Sequence, residues 1–249
     1  MSAAAPVTWV VLPTYNEADN IERLVEELRS VLGERRRILI VDDSSPDGTG
    51  ELADRLAAAY EDVGVLHRPA KQGLGPAYIA GFRRALDGGA DLIVQMDADF
   101  SHDPADLPRL IAAAREADLV LGSRYVPGGG VGDWGAIRRA ISRGGGAYAR
   151  RWLGVPVRDL TGGFKCFRRD VLEVVRPETV RAIGYAFQVE TTYQAIRAGF
   201  RVVEVPIVFN DRRVGESKMS RAIVAEAIWR VPLMRLRSRL SRRPRPPRR

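Results

Sequence analysis

The residues best suited to chemistry form one stretch, Gln95-Met96-Asp97-Ala98-Asp99-Phe100-Ser101-His102-Asp103-Pro104. The apolar run Leu92-Ile93-Val94 precedes it and reads as a buried strand. Pro104 then opens a periodic stretch through Leu107, Leu110 and Ile111, the pattern of a helix with proline in its first turn. Asp97 and Asp99 are therefore expected at the carboxyl end of a strand, the edge of an open α/β sheet where ligands bind. Two carboxylates one residue apart at a chain turn can reach one hard cation. Mg²⁺ or Mn²⁺ takes such oxygens together with phosphate oxygens and water. Taken alone, Asp-x-Asp also fits a solvated acidic turn with a helix cap, and the surrounding elements have to decide.

Those elements alternate. Trp9-Val10-Val11-Leu12, Ile38-Leu39-Ile40-Val41, Val63 to His67, Leu92 to Val94 and Leu119 to Gly122 read as five strands. Helical repeats separate them: Ile21 to Leu32 with Asn16 or Asn20 as cap, a Leu/Ala-rich stretch to Tyr60, Tyr78 to Leu86, and a stretch to Ala117. This order predicts an α/β fold with a mainly parallel sheet and helices on both faces. Right-handed crossovers then bring the turns at Pro13-Tyr15-Glu17, Asp42-Asp43, Asp97-Asp99 and Ser123-Arg124-Tyr125 to one rim. Convergence of these turns, more than any one motif, predicts an active site. Beyond them lie a glycine-rich connector from Val126 to Gly135 that reads as mobile, a basic helix with Arg138, Arg139, Ser142 and Arg143, and a polar turn from Asp159 to Lys165. Gln188 to Arg197 reads as a helix, and Arg201 to Phe209 as an edge strand because of Pro206. Ala222 to Leu240 reads as a helix kinked or split at Pro232, with Ile223, Ala227, Val231 and Leu236 along one side. Lys71-Gln72-Gly73-Leu74-Gly75 lacks the third glycine of a dinucleotide loop and is set aside.

The chain has 249 residues, enough for one large α/β domain, with 45% hydrophobic and 28% charged residues. A single cysteine, Cys166, excludes an internal disulfide and fits a reducing compartment. No run of about 18 apolar residues is present, and Met1 to Pro6 is no signal peptide, so a cytoplasmic, non-spanning enzyme is expected. The net charge is +8. It concentrates at the end, where no acidic residue follows Glu226 and arginines stand from Arg230 to Arg249. Such an end favours nucleic acid, anionic lipid or acidic ligands.

Val11-Leu12-Pro13-Thr14-Tyr15-Asn16-Glu17, Val41-Asp42-Asp43-Ser44-Ser45-Pro46-Asp47-Gly48-Thr49 and Met96-Asp97-Ala98-Asp99 resemble inverting glycosyltransferases of the Rossmann-like nucleotide-sugar fold, GT-A, family 2. Gly122-Ser123-Arg124-Tyr125, Ile141-Ser142-Arg143-Gly144, Asp159 to Phe164 and Gly215-Glu216-Ser217-Lys218 resemble the dolichol- and polyprenol-phosphate mannose synthases within that group. The resemblance spans roughly Val10 to Lys218 with its blocks in the family's order. It implies a catalytic domain over 1–218, and the residues beyond read as an amphipathic helical segment over 219–240, either lying on the membrane or packed on the domain, and a disordered basic tail over 241–249.

The implied reaction moves mannose from GDP-mannose to the phosphate of a polyprenol or dolichol, with inversion, using Mg²⁺ or Mn²⁺. Pro13, Tyr15, Glu17, Val41, Asp43 and Ala98 then line the donor site. Asp99 is the direct metal ligand, and Asp97 acts through water or on the donor ribose. Ser101 stands where the family often has glutamine, as a third ligand or merely a helix cap. Arg124, Arg138 and Ser142 hold the acceptor phosphate, while Arg212 and Lys218 close over the diphosphate. That phosphate is already ionised, so neither His67 nor His102 is needed as a base. Trp229, Leu233, Met234 and Leu236 beside Arg235, Arg237 and Arg239 are expected to lie in the membrane interface. Glucose transfer from UDP-glucose stays open as an alternative. Nucleic-acid binding is not expected, because the acidic rim would repel phosphates without a metal.

Overall fold

The computed structural model describes residues 5–132, 134–180, 185–210 and 221–240, without the side chains of 185, 221–228 and 239–240. Five apolar runs form strands: β1 (Thr8–Thr14), β2 (Arg36–Asp42), β3 (Val63–His67), β4 (Leu92–Gln95) and β5 (Leu119–Ser123). Helices α1 (Ala18–Val31), α2 (Thr49–Ala59), α3 (Leu74–Asp87) and α4 (Leu107–Ala113) separate them. The second half adds β6 (Gly130–Val131), α5 (Ala136–Leu153), β7 (Lys165–Arg168), α6 (Arg169–Val175), α7 (Tyr185–Ala198), β8 (Val202–Pro206), β9 (Val208–Phe209) and α8 (Arg221–Leu240).

The main sheet has seven strands in the order β3-β2-β1-β4-β7-β5-β8. All run parallel except β7, which is antiparallel to both β4 and β5. The polar turn expected to lead into Cys166-Phe167 is corrected, since Lys165–Arg168 forms a strand between β4 and β5. β8 is the edge strand that Pro206 predicted. Strand residues alternate between two cores. Val11, Leu39, Val41 and Ile93 face α3, α5, α6 and α7, whereas Val10, Leu12, Ile38, Ile40 and Val94 face α1, α2 and α4.

Two further expectations are corrected. The glycine-rich connector is not a loose link, because β6 pairs with β9 as a small second sheet. Gly129 makes this fold-back possible, since a Cβ there would stand 2.5 Å from the Ser123 carbonyl oxygen. Of the kink or split expected at Pro232, the split does not occur, since α8 runs through it as one helix. It buries Val231, Met234 and Ser238, and Tyr193 and Ser238 share a hydrogen bond at 2.9 Å. Leu236 is instead 58% exposed. Five residues separate it from Val231, about 140° around the helix. Among the described residues no helix is long and apolar enough to cross a membrane.

Candidate active site

The carboxyl ends of β1, β2 and β4 carry three non-glycine residues in the left-handed region: Asn16 at φ 60°, Ser44 at φ 58° and Phe100 at φ 58°. Asparagine tolerates that region, whereas Ser44 and Phe100 there cost roughly 1–2 kcal/mol each. The neighbouring turn holds Asn16 in place. Ser45 Oγ accepts from the Asn16 amide at 3.1 Å, Thr49 Oγ1 from Glu17 at 2.9 Å, and Asp47 Oδ2 from Ala18 at 3.1 Å. Helix α1 is thus capped from the 45–49 turn. Neither Asn16 nor Asn20 caps it, and the Asn20 amide donates to Glu17 Oε2 instead.

Of the residues expected at a donor site, Pro13 lies in the last residues of β1, and Tyr15 and Glu17 occupy that stitched turn. The Lys71 ammonium sits 3.6 Å from the Tyr15 ring centroid. Asp43 is buried and ion-paired with Arg68, and its other oxygen accepts the Gln72 amide at 3.4 Å. Burial raises the Asp43 pKa despite the Arg68 charge. The loop set aside as a failed dinucleotide motif is therefore part of this rim. The Val41 side chain is fully buried in the core and does not reach the rim surface.

Asp97 and Asp99 stand at the end of β4 as expected, with Asp103 capping the following turn by accepting from Ala105 at 2.9 Å. The Tyr78 hydroxyl, deep in the core, donates to Asp97 Oδ1 at 2.8 Å, and burial followed by the Asp97 charge holds the phenol protonated. The Asp97 amide donates to His102 Nδ1 at 3.2 Å. Burial lowers the His102 pKa against the nearby carboxylates, keeping the ring neutral. Asp99 Oδ1 accepts the Ser101 amide at 3.0 Å, and Ala98 between the two acids is buried. The Ser101 hydroxyl is buried with no hydrogen-bond partner, leaving an oxygen lone pair that could coordinate a cation. Among the described residues no cluster of three or more His, Cys, Asp or Glu could hold a metal alone. Two carboxylates and a hydroxyl suit a Mg²⁺ or Mn²⁺ ion that shares its shell with a diphosphate and water.

The cationic side faces them. Arg124 is buried at the end of β5, with Nε donating to Asp159 Oδ2 and Nη2 to Asp159 Oδ1, both at 2.7 Å. Asp159 Oδ2 also accepts the Arg124 amide at 3.0 Å, and Thr161 Oγ1 accepts from Nη2 at 2.8 Å. Burial would push Asp159 up, but the Arg124 charge and these bonds hold it below the usual carboxylate range. The Arg138 guanidinium lies 4.1 Å and that of Arg124 5.7 Å from the Trp134 ring centroid. Ser142 Oγ accepts from the Tyr125 hydroxyl at 2.6 Å. Phe209 joins the two sides, with its ring 5.4 Å from the Arg124 guanidinium and 5.4 Å from the His102 ring. Arg212 and Lys218 lie outside the described residues.

Behind the rim, Gln95 Nε2 donates to the Gly163 carbonyl at 2.7 Å and to Gln188 Oε1 at 2.6 Å. The fully buried Lys165 donates to Gln188 O at 2.7 Å and Thr192 Oγ1 at 2.9 Å, and burial lowers its pKa to about 7. Arg68, Lys71, Tyr78, Trp134, Asp159 and Phe209 all shape the site, and the sequence reading assigned none of them a role there. Asp159 stood in a quoted family block, which was the one available signal.

Residues 9–176 match the family described as glycosyl transferase family 2. An undecaprenyl-phosphate mannosyltransferase of Micrococcus luteus is 49% identical over 89% of this chain and 90% of its own. A polyprenol monophosphomannose synthase of Mycolicibacterium smegmatis is 47% identical over 94% and 89%. Among solved structures, glucosyl-3-phosphoglycerate synthase from Mycobacterium tuberculosis, in complex with Mn²⁺, UDP-glucose and phosphoglyceric acid, superposes with a TM-score of 0.66. It is 18% identical over 95% of this chain and 80% of its own, a likeness of fold. The seven-stranded sheet, the acidic pair at the end of β4 and the extent of these matches place this chain in glycosyl transferase family 2.

Proposed function

We propose that this protein transfers mannose from GDP-mannose to the phosphate of a polyprenol, giving β-mannosyl polyprenyl phosphate and GDP. The observation that carries the reading is the pairing across Phe209. One flank holds the acidic pair through His102, and the other holds Arg124 fixed by Asp159. That arrangement suits a leaving diphosphate on one flank and an attacking phosphate on the other. The long, close match to two polyprenyl-phosphate mannosyltransferases supports the same substrates.

In this reading the turn of Pro13, Tyr15 and Glu17 seats the nucleotide, and the Asp43 carboxylate accepts from N–H donors of its base. Asp97, Asp99 and Ser101 would hold Mg²⁺ or Mn²⁺, which when bound neutralises charge on the departing diphosphate. Arg212 and Lys218 close over that diphosphate. Arg124, Arg138 and Ser142 orient the acceptor phosphate. One of its oxygens attacks the anomeric carbon opposite GDP. A carbon–oxygen bond to the acceptor forms as the bond to GDP breaks, and the centre inverts. The acceptor oxygen arrives ionised, so no proton changes hands, and neutral His102 serves by accepting the Asp97 amide. The acceptor lipid places the enzyme peripherally on the cytoplasmic face of the membrane, with the exposed Trp229, Leu233 and Leu236 of α8 touching it.

The test is incubation with labelled GDP-mannose and a polyprenyl phosphate, with and without chelator. A mild-acid-labile mannolipid formed only without chelator is expected. Consumption of labelled UDP-glucose instead would overturn the donor, and sugar release without lipid labelling would overturn the acceptor.

A further inference from the structure

Beside the site described above, Tyr125, Arg143, Ala147, Arg150 and Arg158 line a separate cavity of about 480 Å³. Arg143, Ala147 and Arg150 are spaced at i, i+4 and i+7, so they share one face of α5. Ala147 leaves room between the two arginines. Arg158 comes from the loop ahead of β7. No acidic residue lines this cavity. The nearest carboxylates are engaged elsewhere. Asp159 holds Arg124 and Thr161, while Glu204 accepts from Ser123 Oγ at 2.7 Å and from the amides of Arg158 at 2.7 Å and Asp159 at 2.9 Å. Among the described residues none of the three guanidinium groups has an ion-pair partner.

Three like charges around one concavity repel, and nothing in the packing of exposed side chains requires them together. A phosphate group relieves that repulsion and matches guanidinium geometry. Ile141 and Trp152 stand two residues from Arg143 and Arg150, about 200° around α5 and so on its other side, and what brings lipid headgroups to the cavity is its Tyr125 wall, shared with Ser142 of the acceptor-phosphate cradle. We propose that this cavity binds the phosphate headgroup of an anionic membrane phospholipid, distinct from the acceptor. It rests on the polyprenyl-phosphate reading only in that the acceptor brings the enzyme to a membrane. Tyr125 is the wall shared with Ser142, so a seated headgroup would hold the acceptor-phosphate cradle against the lipid surface.

The test compares two variants of the full chain with equal charge removed from one helix. One is Arg143→Gln with Arg150→Gln, and the other is Arg139→Gln with Arg151→Gln. Each arginine near an anionic surface is worth roughly fivefold in affinity. Sedimentation with phosphatidylglycerol vesicles should weaken about 25-fold for the cavity pair and clearly less for the control pair. Calorimetry with monomeric short-chain phosphatidylglycerol should show saturable binding that short-chain phosphatidylcholine lacks and the cavity pair abolishes. Equal losses in both variants, or no saturable binding, would overturn the site. Binding of polyprenyl phosphate but not phosphatidylglycerol, with a raised acceptor KM in the cavity pair, would overturn the headgroup assignment. Transfer to a short-chain acceptor without vesicles should persist in the cavity pair. Failure of the headgroup site therefore leaves the mannosyl-transfer reading standing, and absence of transfer in the unmodified enzyme would fail that reading alone.

Discussion

Replacing Asp159 by asparagine probes the contact that holds Arg124. The carboxylate accepts Nε and Nη2 of Arg124 at 2.7 Å each, and both side chains are almost wholly buried, at 7% and 0% exposure. Asparagine has nearly the same shape but one acceptor, and its amide must point donors at Nε or at Nη2. One charge-assisted bond is lost, about 1.5–3 kcal/mol, and the guanidinium is left with a neutral partner. If about 3 kcal/mol of that appears in the transition state, kcat/KM for polyprenyl phosphate falls about a hundredfold. The KM for GDP-mannose should stay within about twofold, because Asp159 touches nothing on the donor side. Stability will also fall, so rates are referred to the folded fraction measured by circular dichroism at the assay temperature. A double-mutant cycle with Arg124→Met separates positioning from general damage. Once Arg124 is gone, Asp159→Asn should cost less than about threefold. A full hundredfold loss in both backgrounds, or a raised donor KM with the acceptor KM intact, would refute the assignment of Asp159 as the residue that aims Arg124.

Tyr78→Phe removes the 2.8 Å hydrogen bond to Asp97, and the metal concentration for half-maximal transfer should rise roughly 10–100-fold with little change in melting temperature. Lys165, neutral in the fold above about pH 7 and protonated in the unfolded chain up to its ordinary value of 10.5, binds fewer protons folded than unfolded between those limits. Its contribution to stability is therefore present at high pH and lost as pH falls toward 7, about 1.4 kcal/mol per pH unit. Urea titrations at pH 7.5 and 9.5 should show this slope flattened in Lys165→Met. Trp229→Ala with Leu236→Ala removes apolar groups that are 81% and 58% exposed and should weaken vesicle binding about a hundredfold if α8 lies on the membrane. Unchanged sedimentation would mean that α8 serves only to cover α5 and α7.

The readable parts of this chain were those with strong local signals. Leu92 to Val94 is apolar and short, and Asp103-Pro104 follows as cap and first turn, so β4 and its acidic pair are legible in the sequence. Strand β7 was not, because it is four residues long with basic residues at both ends, Lys165 and Arg168. A fully buried lysine contradicts every sequence rule for a central strand, and only Gln188 and Thr192 across the fold make it tolerable. The buried side of α8 was misplaced for the opposite reason. Its apolar residues are plentiful on several faces, and periodicity could not choose which face α5 and α7 would cover.

The antiparallel direction of β7 explains why the strand-and-turn pattern gave Asp159 no place on the rim. In a parallel sheet, functional loops follow strands, and that rule found the turns after β1, β2, β4 and β5. Lys165, the first residue of β7, pairs with Gln95 and Leu121 near the carboxyl ends of its neighbours. The segment that precedes β7, from Asp159 to Gly163, therefore reaches the same rim from the other direction. That inversion lets Asp159 grip Arg124 and brings Gly163 against the Asp97 carboxylate, where a Cβ would lie 3.4 Å from Oδ2. A parallel strand in this slot would have carried Asp159 to the far edge of the sheet and left Arg124 buried without its counter-charge. The single reversed strand is thus what allows a buried arginine to be held rigid within one aromatic ring of the acidic pair.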